Sequence, residues 1–257
     1  MPRAYHTGAV TAKRLTIGKV PIDVLTFAEA LDSIDALVTA KQGGFVFTPN
    51  IDHVVTVDDH PEFAAAYAKA SLSLADGMPV VWASRLLEHR LPEKISGSDL
   101  VGPLLERAAQ KKWRVAFLGA GPGVAEKAAK IVHEKYGTDV VYTEAPMVKL
   151  DDAAQLDGIA QRLSAAKADL VLMAFGAPKQ ELLIAKIADS VKPAVLLGIG
   201  ASLDFIAGTV KRAPVVMQKT GLEWLYRLGQ EPRRLWRRYL INDPKFLLIL
   251  ARTLRER

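Results

Sequence analysis

Along the first 220 residues, short apolar runs alternate with longer stretches in which apolar positions recur every three or four residues. These are the periods of buried strands and of amphipathic helices. Leu15-Thr16-Ile17-Gly18 and Val20-Pro21-Ile22-Asp23 predict two short strands or a small hairpin. Thr26 caps a helix carrying Phe27, Ala30, Leu31, Ile34, Leu37 and Val38, which Gly43-Gly44 ends. Phe45-Val46-Phe47 predicts a buried strand that runs into the polar turn Thr48-Pro49-Asn50 and then a helix with Val54, Val55 and Val57. Pro61 opens the next helix at a favoured first-turn position, with Phe63, Ala66, Tyr67 and Ala70 on its inner face. Residues 1–13 predict a poorly ordered lead-in.

The stretch from Ser71 to Trp82 stands out. Leu72 to Ala75 alternates like a short buried strand, Asp76-Gly77 breaks it, and Met78 onward regains helical spacing to about Leu87. Asp76 therefore falls where strand turns into helix, at the carboxyl edge where open α/β sheets bind ligands. On local sequence alone it also suits a turn or N-cap. Glu88 to Ser96 is charged and interrupted by proline, a surface loop, and Gly97-Ser98-Asp99-Leu100 starts a helix ending near Lys112.

From Arg114 the pattern is regularly βαβ. Strands are predicted at Arg114 to Leu118, Asp139 to Thr143, Asp169 to Phe175 and Ala194 to Gly198, with helices at about 123–136, 151–166 and 178–190. This alternation predicts an α/β fold, a Rossmann-like, mostly parallel sheet covered by helices on both faces. Residues 221–257 hold helical patterns with breaks at Gly229, Pro232 and Pro244, and no strand candidate. The reading is an α/β core over 1–220 and a C-terminal helical appendage over 221–257.

Charge sharpens that division. Of the net +6, residues 221–257 contribute nine Lys/Arg against four acids, leaving a near-neutral body and a basic tail suited to phosphate, lipid surface or nucleic acid. No cysteine is present, which removes disulfides, thiolate metal sites and a Cys nucleophile. Neither a signal-peptide apolar run nor about 18 consecutive apolar residues occurs, so a spanning helix is not expected.

Three strand-to-helix loops carry candidate chemistry. Gly119-Ala120-Gly121-Pro122-Gly123 has the setting in which backbone amides approach a diphosphate at a helix N-terminus. Its glycine spacing departs from the dinucleotide fingerprint, and Glu144 is only a weak ribose candidate. A tight turn required by packing alone remains open there. Gly176-Ala177-Pro178-Lys179-Gln180-Glu181 places three long polar side chains at a strand's carboxyl end, with a purely solvated helix start as the plain alternative, and Gly198-Ile199-Gly200-Ala201-Ser202-Leu203-Asp204 completes the edge. The histidines His6, His53, His60, His89 and His133 lack metal-ligand spacing and read as surface or helix residues. Asp76 belongs to no Asp-x-Asp pair, and no Gly-x-Ser-x-Gly elbow is present.

Taken in order, Thr48-Pro49-Asn50, Leu74-Ala75-Asp76-Gly77 with Val81-Trp82, Gly97-Ser98-Asp99-Leu100, Phe117-Leu118-Gly119-Ala120, the loops beginning at Gly176 and Gly198, and Gly221-Leu222-Glu223-Trp224-Leu225-Tyr226-Arg227 resemble the WecG/TagA/CpsF glycosyltransferases. The likeness runs from roughly Leu15 to Phe246. It departs at Lys94, where many members carry arginine, and at Leu183, where tryptophan is common.

The resemblance implies inverting transfer of a sugar from a UDP-sugar donor to a polyprenyl-diphosphate-linked sugar, in bacterial cell-surface polysaccharide synthesis. The sugar is commonly N-acetylmannosamine or its uronic acid, and glucose in some branches. The enzyme is expected at the cytoplasmic face of the membrane, peripherally attached. By the same resemblance Asp76 is the general base, and Thr48 and Asn50 position substrate. Gln180 and the Gly119, Ala120, Gly121, Gly123 loop line the donor pocket, with Gly176, Pro178, Lys179, Glu181, Gly200 and Asp204 on the same edge. Arg227, Arg234 and Arg237 neutralise the leaving diphosphate in place of a metal, so no cofactor is expected. Arginines interleaved with Trp224, Tyr226, Trp236 and Tyr239 suit a lipid headgroup interface too, and a merely solvated basic face is the plain alternative. The run Phe246 to Ala251 is suited equally to resting on a bilayer and to packing on the body. A homo-oligomer is compatible with an appendage that exposes or covers the site. The competing readings are an NAD-dependent oxidoreductase using the Gly119 loop and a nucleic-acid-binding module using the tail. Charge confined to the tail argues against nucleic acid.

Overall fold

The computed structural model describes residues 13–87 and 89–256, so the lead-in expected at the start of the chain lies outside the described residues except for Lys13. An antiparallel hairpin, β1 (Arg14–Ile17) and β2 (Val20–Asp23), precedes a six-stranded parallel sheet. Its strands are β3 (Gly44–Phe47), β4 (Leu72–Ser73), β5 (Arg114–Gly119), β6 (Asp139–Glu144), β7 (Leu170–Ala174) and β8 (Val195–Gly198), arranged β4-β3-β8-β7-β5-β6. The body helices are α1 (Phe27–Ala40), α2 (Ile51–Asp59), α3 (Pro61–Lys69), α4 (Met78–Ser84), α5 (Gly97–Lys111), α6 (Val124–Tyr136), α7 (Ala153–Ala165), α8 (Lys179–Ile187) and α9 (Ser202–Ala207). Then come α10 (Val215–Lys219), α11 (Glu223–Gln230), α12 (Pro232–Arg237), a π-helical turn over Arg238–Asn242, and α13 (Phe246–Arg255).

The central strands are buried from end to end, as a parallel sheet covered on both faces requires. Strand alternation divides their side chains between two cores. Ala116, Leu118, Val171, Met173 and Leu196 face α3, α7 and α8, while Val115, Phe117, Leu170, Leu172, Val195 and Leu197 face α1, α5, α6 and α9. Thr26 caps α1 in a full capping box with Glu29, Asn50 caps α2, and Ser96 caps α5.

Strand β4 is shorter than its apolar run predicts. It pairs with β3 through Leu72 and Ser73, and its partner then reaches Pro49, which has no N–H to continue a ladder. The chain nonetheless stays alongside, with Leu74 N–H donating to Phe47 O (2.9 Å) and Asp76 N–H to Pro49 O (2.8 Å). Asp23, buried and paired with Arg14 at 2.7 Å, accepts the Ser73 N–H (2.8 Å) and fixes the start of this run.

The tail departs from expectation in two places. Gly229 lies inside α11 and breaks nothing; Pro232 ends that helix because it cannot follow an unbroken turn. The run from Phe246 packs on the body: Phe246, Ile249 and Leu250 join the core beside α2 and β1, and the Gly18 N–H donates to Thr253 Oγ1 (2.9 Å). Ile249→Ala is therefore expected to destabilise the protein by about 2–5 kcal/mol in urea unfolding. Leu248→Ala, one residue away and 75% exposed, should stay within about 0.5 kcal/mol.

Candidate active site

A cleft opens where β3 and β4 end, walled on the body side by Asn50, Asp52, Asp76, Met78 and Lys94 and roofed by Glu223, Trp224, Arg227, Arg238, Tyr239 and Asp243 of the tail. Asp76 is held by its backbone on both sides. Its own N–H donates to Pro49 O, and the Ile95 N–H donates to Ala75 O at 2.7 Å. Gly77 follows with φ +100°, a conformation that favours glycine, and turns the chain into α4. The side chain of Asp76 makes no hydrogen bond among the described residues and faces the cleft half-buried. Burial pushes its carboxyl up to about 6, Lys94 and Arg227 pull it down, and Glu223 and Asp99 reinforce the rise. A carboxylate so placed, and without a competing partner, is equipped to accept a proton near neutral pH.

Lys94 pairs with Asp99 at 2.8 Å, and Arg212 holds the other oxygen at 2.5 Å. Burial alone would raise Asp99; Lys94, Ser96 and Arg212 instead hold it down to about 2, so it is a fixed negative charge behind the cleft. Across the cleft Arg227 bonds Glu223 at 2.9 Å and lies over the Phe205 ring of α9 at 5.6 Å.

The structure brings Asp76, Asn50 and Arg227 together, and it places other sequence-selected residues elsewhere. Thr48 is buried and does not line the cleft. Arg234 and Arg237 do not line it either: Arg234 pairs with Glu231 at 2.5 Å and both arginines are exposed. The reason is helical phase. Pro232 restarts the helix, Leu235 becomes its buried residue, and the side chain three positions on, Arg238, shares that inner face. Arg238 reaches Asp52 (3.3 Å) and Asn50 Oδ1 (3.4 Å), while Asn50 Oδ1 also caps α2 through the His53 N–H (3.2 Å). Beside it Asp243 is pushed up to about 7 by burial, against Arg238 and with Asp52. Sequence reasoning missed both Arg238 and Asp243.

Further along the same carboxyl edge, β6 and β7 lie on opposite sides of β5, which makes the β5 and β7 loops the switch point of the sheet. Gly119 has φ +104°, and a Cβ there would lie 2.5 Å from Ala174 O, so packing demands glycine. Gly121, Gly123 and Gly200 line up beside it on the β5 and β8 loops, with left-handed backbone at Ala120 (φ 63°), Gly123 (φ 75°) and Gly200 (φ 54°). Gly176 differs: its φ is not positive and a Cβ would meet nothing within 4 Å. Neither conformation nor packing requires glycine at 176, which leaves room for close approach by a ligand.

Pro178 occupies the N-cap position of α8 without a side-chain capping bond, and Lys179 is half-buried at the start of the helix. Gln180 and Glu181 are buried rather than displayed, at 4% and 1% exposure. Asp204 uses its side chain to accept from Thr209 Oγ1 (3.1 Å) below α9. Glu144 is held by Tyr142 Oη at 2.5 Å and Arg162 at 2.8 Å, which removes it as a ribose ligand. His53, expected at the surface or on a helix, is on α2 but buried, with Nδ1 2.6 Å from Tyr67 Oη; burial lowers it to about 3 and keeps it neutral.

Comparison with known proteins gives two findings. A model of the Glycosyl transferase WecG/TagA/CpsF family matches residues 15–257. A protein of Bacillus spizizenii, N-acetylglucosaminyldiphosphoundecaprenol N-acetyl-beta-D-mannosaminyltransferase, is 34% identical over 234 residues, covering 88% of each chain.

Proposed function

Since the chain belongs to the WecG/TagA/CpsF family of glycosyltransferases, we propose that it transfers N-acetylmannosamine from a UDP donor to an N-acetylglucosamine unit carried on a polyprenyl diphosphate. The observation that carries the reading is the cleft itself: an unpartnered carboxylate raised toward neutrality, facing two arginines. Asp76 takes the proton from the acceptor hydroxyl as that oxygen attacks the anomeric carbon. The bond from that carbon to the donor diphosphate breaks on the opposite face, and its electron pair leaves with UDP. The configuration inverts. Arg227 and Arg238 stabilise the charge that develops on the diphosphate. In this reading no metal takes part, and the two arginines carry the neutralisation that a divalent cation would otherwise supply.

The donor nucleotide is assigned to the β5, β7 and β8 loops, around Gly119 and Gly176. At about 4.8 Å per strand, the β7 loop stands roughly 14 Å from the end of β4, within reach of an extended nucleotide sugar whose sugar end lies at Asp76. The acceptor is a membrane lipid in this reading, while no described helix is long and apolar enough to cross a bilayer. Exposed Trp236, Leu240, Ile241, Leu247 and Leu248, beside Arg234 and Arg237, form the surface we assign to peripheral docking on the cytoplasmic face.

The test is incubation of the full chain with a panel of UDP-sugars and a short-chain lipid-diphosphate N-acetylglucosamine in EDTA, with product mass as readout. Transfer from UDP-N-acetylmannosamine is expected. Transfer only from another UDP-sugar would overturn the donor assignment, and transfer only with added divalent metal would overturn the role given to the arginines.

A further inference from the structure

Beneath the proposed donor edge lies a brace that makes no described hydrogen bond to the reacting groups, with Asp52 of the cleft wall within electrostatic range of it. The Gln180 carbonyl oxygen accepts from the Phe175 N–H (3.2 Å) of the β7 loop and the Gly200 N–H (3.0 Å) of the β8 loop. Its amide nitrogen donates to Glu181 Oε1 at 2.8 Å. The surrounding sequence is fitted to this arrangement, because a Cβ on Gly198 would collide with the Gln180 amide nitrogen.

A side-chain amide is nearly symmetrical in shape and opposite in polarity at its two ends. Turned over, Gln180 would set an N–H group against two backbone N–H groups and lose both loop contacts. What favours the observed sense is the neighbour: in its ionised form a carboxylate accepts and does not donate, so ionised Glu181 binds the nitrogen end only. That carboxyl is almost fully buried, and its second oxygen has no partner. Burial pushes it up to about 7, opposed by its backbone and by Gln180, with the negative charge of Asp52 on α2 raising it further and Tyr67 of α3 close by. A fold that needed only an apolar plug here would not hold a half-satisfied acid.

We propose that Glu181 is a positioning residue for donor binding: by fixing the sense of the Gln180 amide it holds the β7 and β8 loops in the shape that receives the nucleotide. The inference rests on the donor site proposed above and names a residue that acts on it without touching the ligand.

The experiment is calorimetric titration of UDP into full-length wild type, Glu181→Met, Glu181→Gln and Gly176→Val, with thermal melting and steady-state kinetics on each. Gly176→Val tests the site, since a side chain there enters the space left for the ligand. Glu181→Met should weaken UDP and raise the donor KM about tenfold, with the acceptor KM unchanged and the melting temperature equal or higher. Glu181→Gln, whose carbonyl can still accept from Gln180, should restore UDP binding to within about threefold. If Gly176→Val leaves UDP binding intact, the donor-site reading fails. If Gly176→Val weakens UDP while Glu181→Met does not, the site stands and the role of Glu181 is overturned. Equal loss for donor and acceptor with a lower melting temperature would make Glu181 structural only. Should Glu181→Met not fold, a tenfold loss of UDP affinity in a folded Glu181→Gln protein would overturn the proposal just as well.

Discussion

Replacing Asp76 with asparagine is expected to slow sugar transfer by about 10²–10⁴-fold, the contribution of a positioned base, while UDP binding and thermal stability stay close to wild type. The substitution preserves shape and leaves the backbone bond from residue 76 to Pro49 O in place. It breaks no side-chain hydrogen bond among the described residues, so the fold has little to lose. What disappears is the ability to take a proton. The half-buried carboxylate, raised to about 6, is uncomfortable in its charged form, and an amide removes that discomfort together with the chemistry. A folded protein with weak transfer is therefore the expected phenotype, read in single-turnover assays at saturating donor and acceptor. Turnover within about threefold of wild type would remove Asp76 from the mechanism.

The second large effect is expected at the arginines of the roof. Arg227→Ala and Arg238→Ala should each lower kcat by about 10–10²-fold, less than the 10²–10³ typical of a fully enclosed charge-stabilising donor. The reduction follows from solvent: the Arg227 and Arg238 side chains are 38% and 29% exposed. Arg238→Ala should also raise substrate KM, because it frees Asp52 and Asn50 from their only tail partner among the described contacts. Lysine at 227 should restore part of the rate, since the charge returns without the fork that grips two oxygens. Lys245→Ala and Arg255→Ala remove the same charge from exposed positions off the cleft and should leave kcat within about twofold. Equal losses in all four variants would mean that the tail acts through bulk charge, and the roles given to Arg227 and Arg238 would fall.

Much of this architecture is legible in the chain because its two periods are clean. The apolar runs at Val115 to Leu118 and Leu170 to Met173 suit covered strands, and the strand-to-helix switch at Asp76-Gly77 marks a carboxyl edge from the local pattern alone. Side-chain direction inside the loops is less legible. Gln180 and Glu181 look displayed in sequence because they are long and polar, yet α8 begins so close to the sheet that its first turn points inward. The phase of the tail depends on where Pro232 restarts the helix, and one residue of phase separates Arg237 from Arg238. The burial of His53 is readable: it lies four positions before Val57 on the buried face of α2. The docking of α13 is not, since Phe246, Ile249 and Leu250 alternate with exposed Leu247 and Leu248 in a way that suits a membrane as well as a core.

The most direct test of the central claim, that deprotonated Asp76 drives transfer, is the pH dependence of kcat/KM in the wild-type protein, which reports the free enzyme's essential base. The raised carboxyl predicts an acid limb centred near pH 6, the rate falling tenfold per unit below it. A rate that stays level down to about pH 5, with its limb near 4 where an ordinary carboxylate titrates, would contradict it.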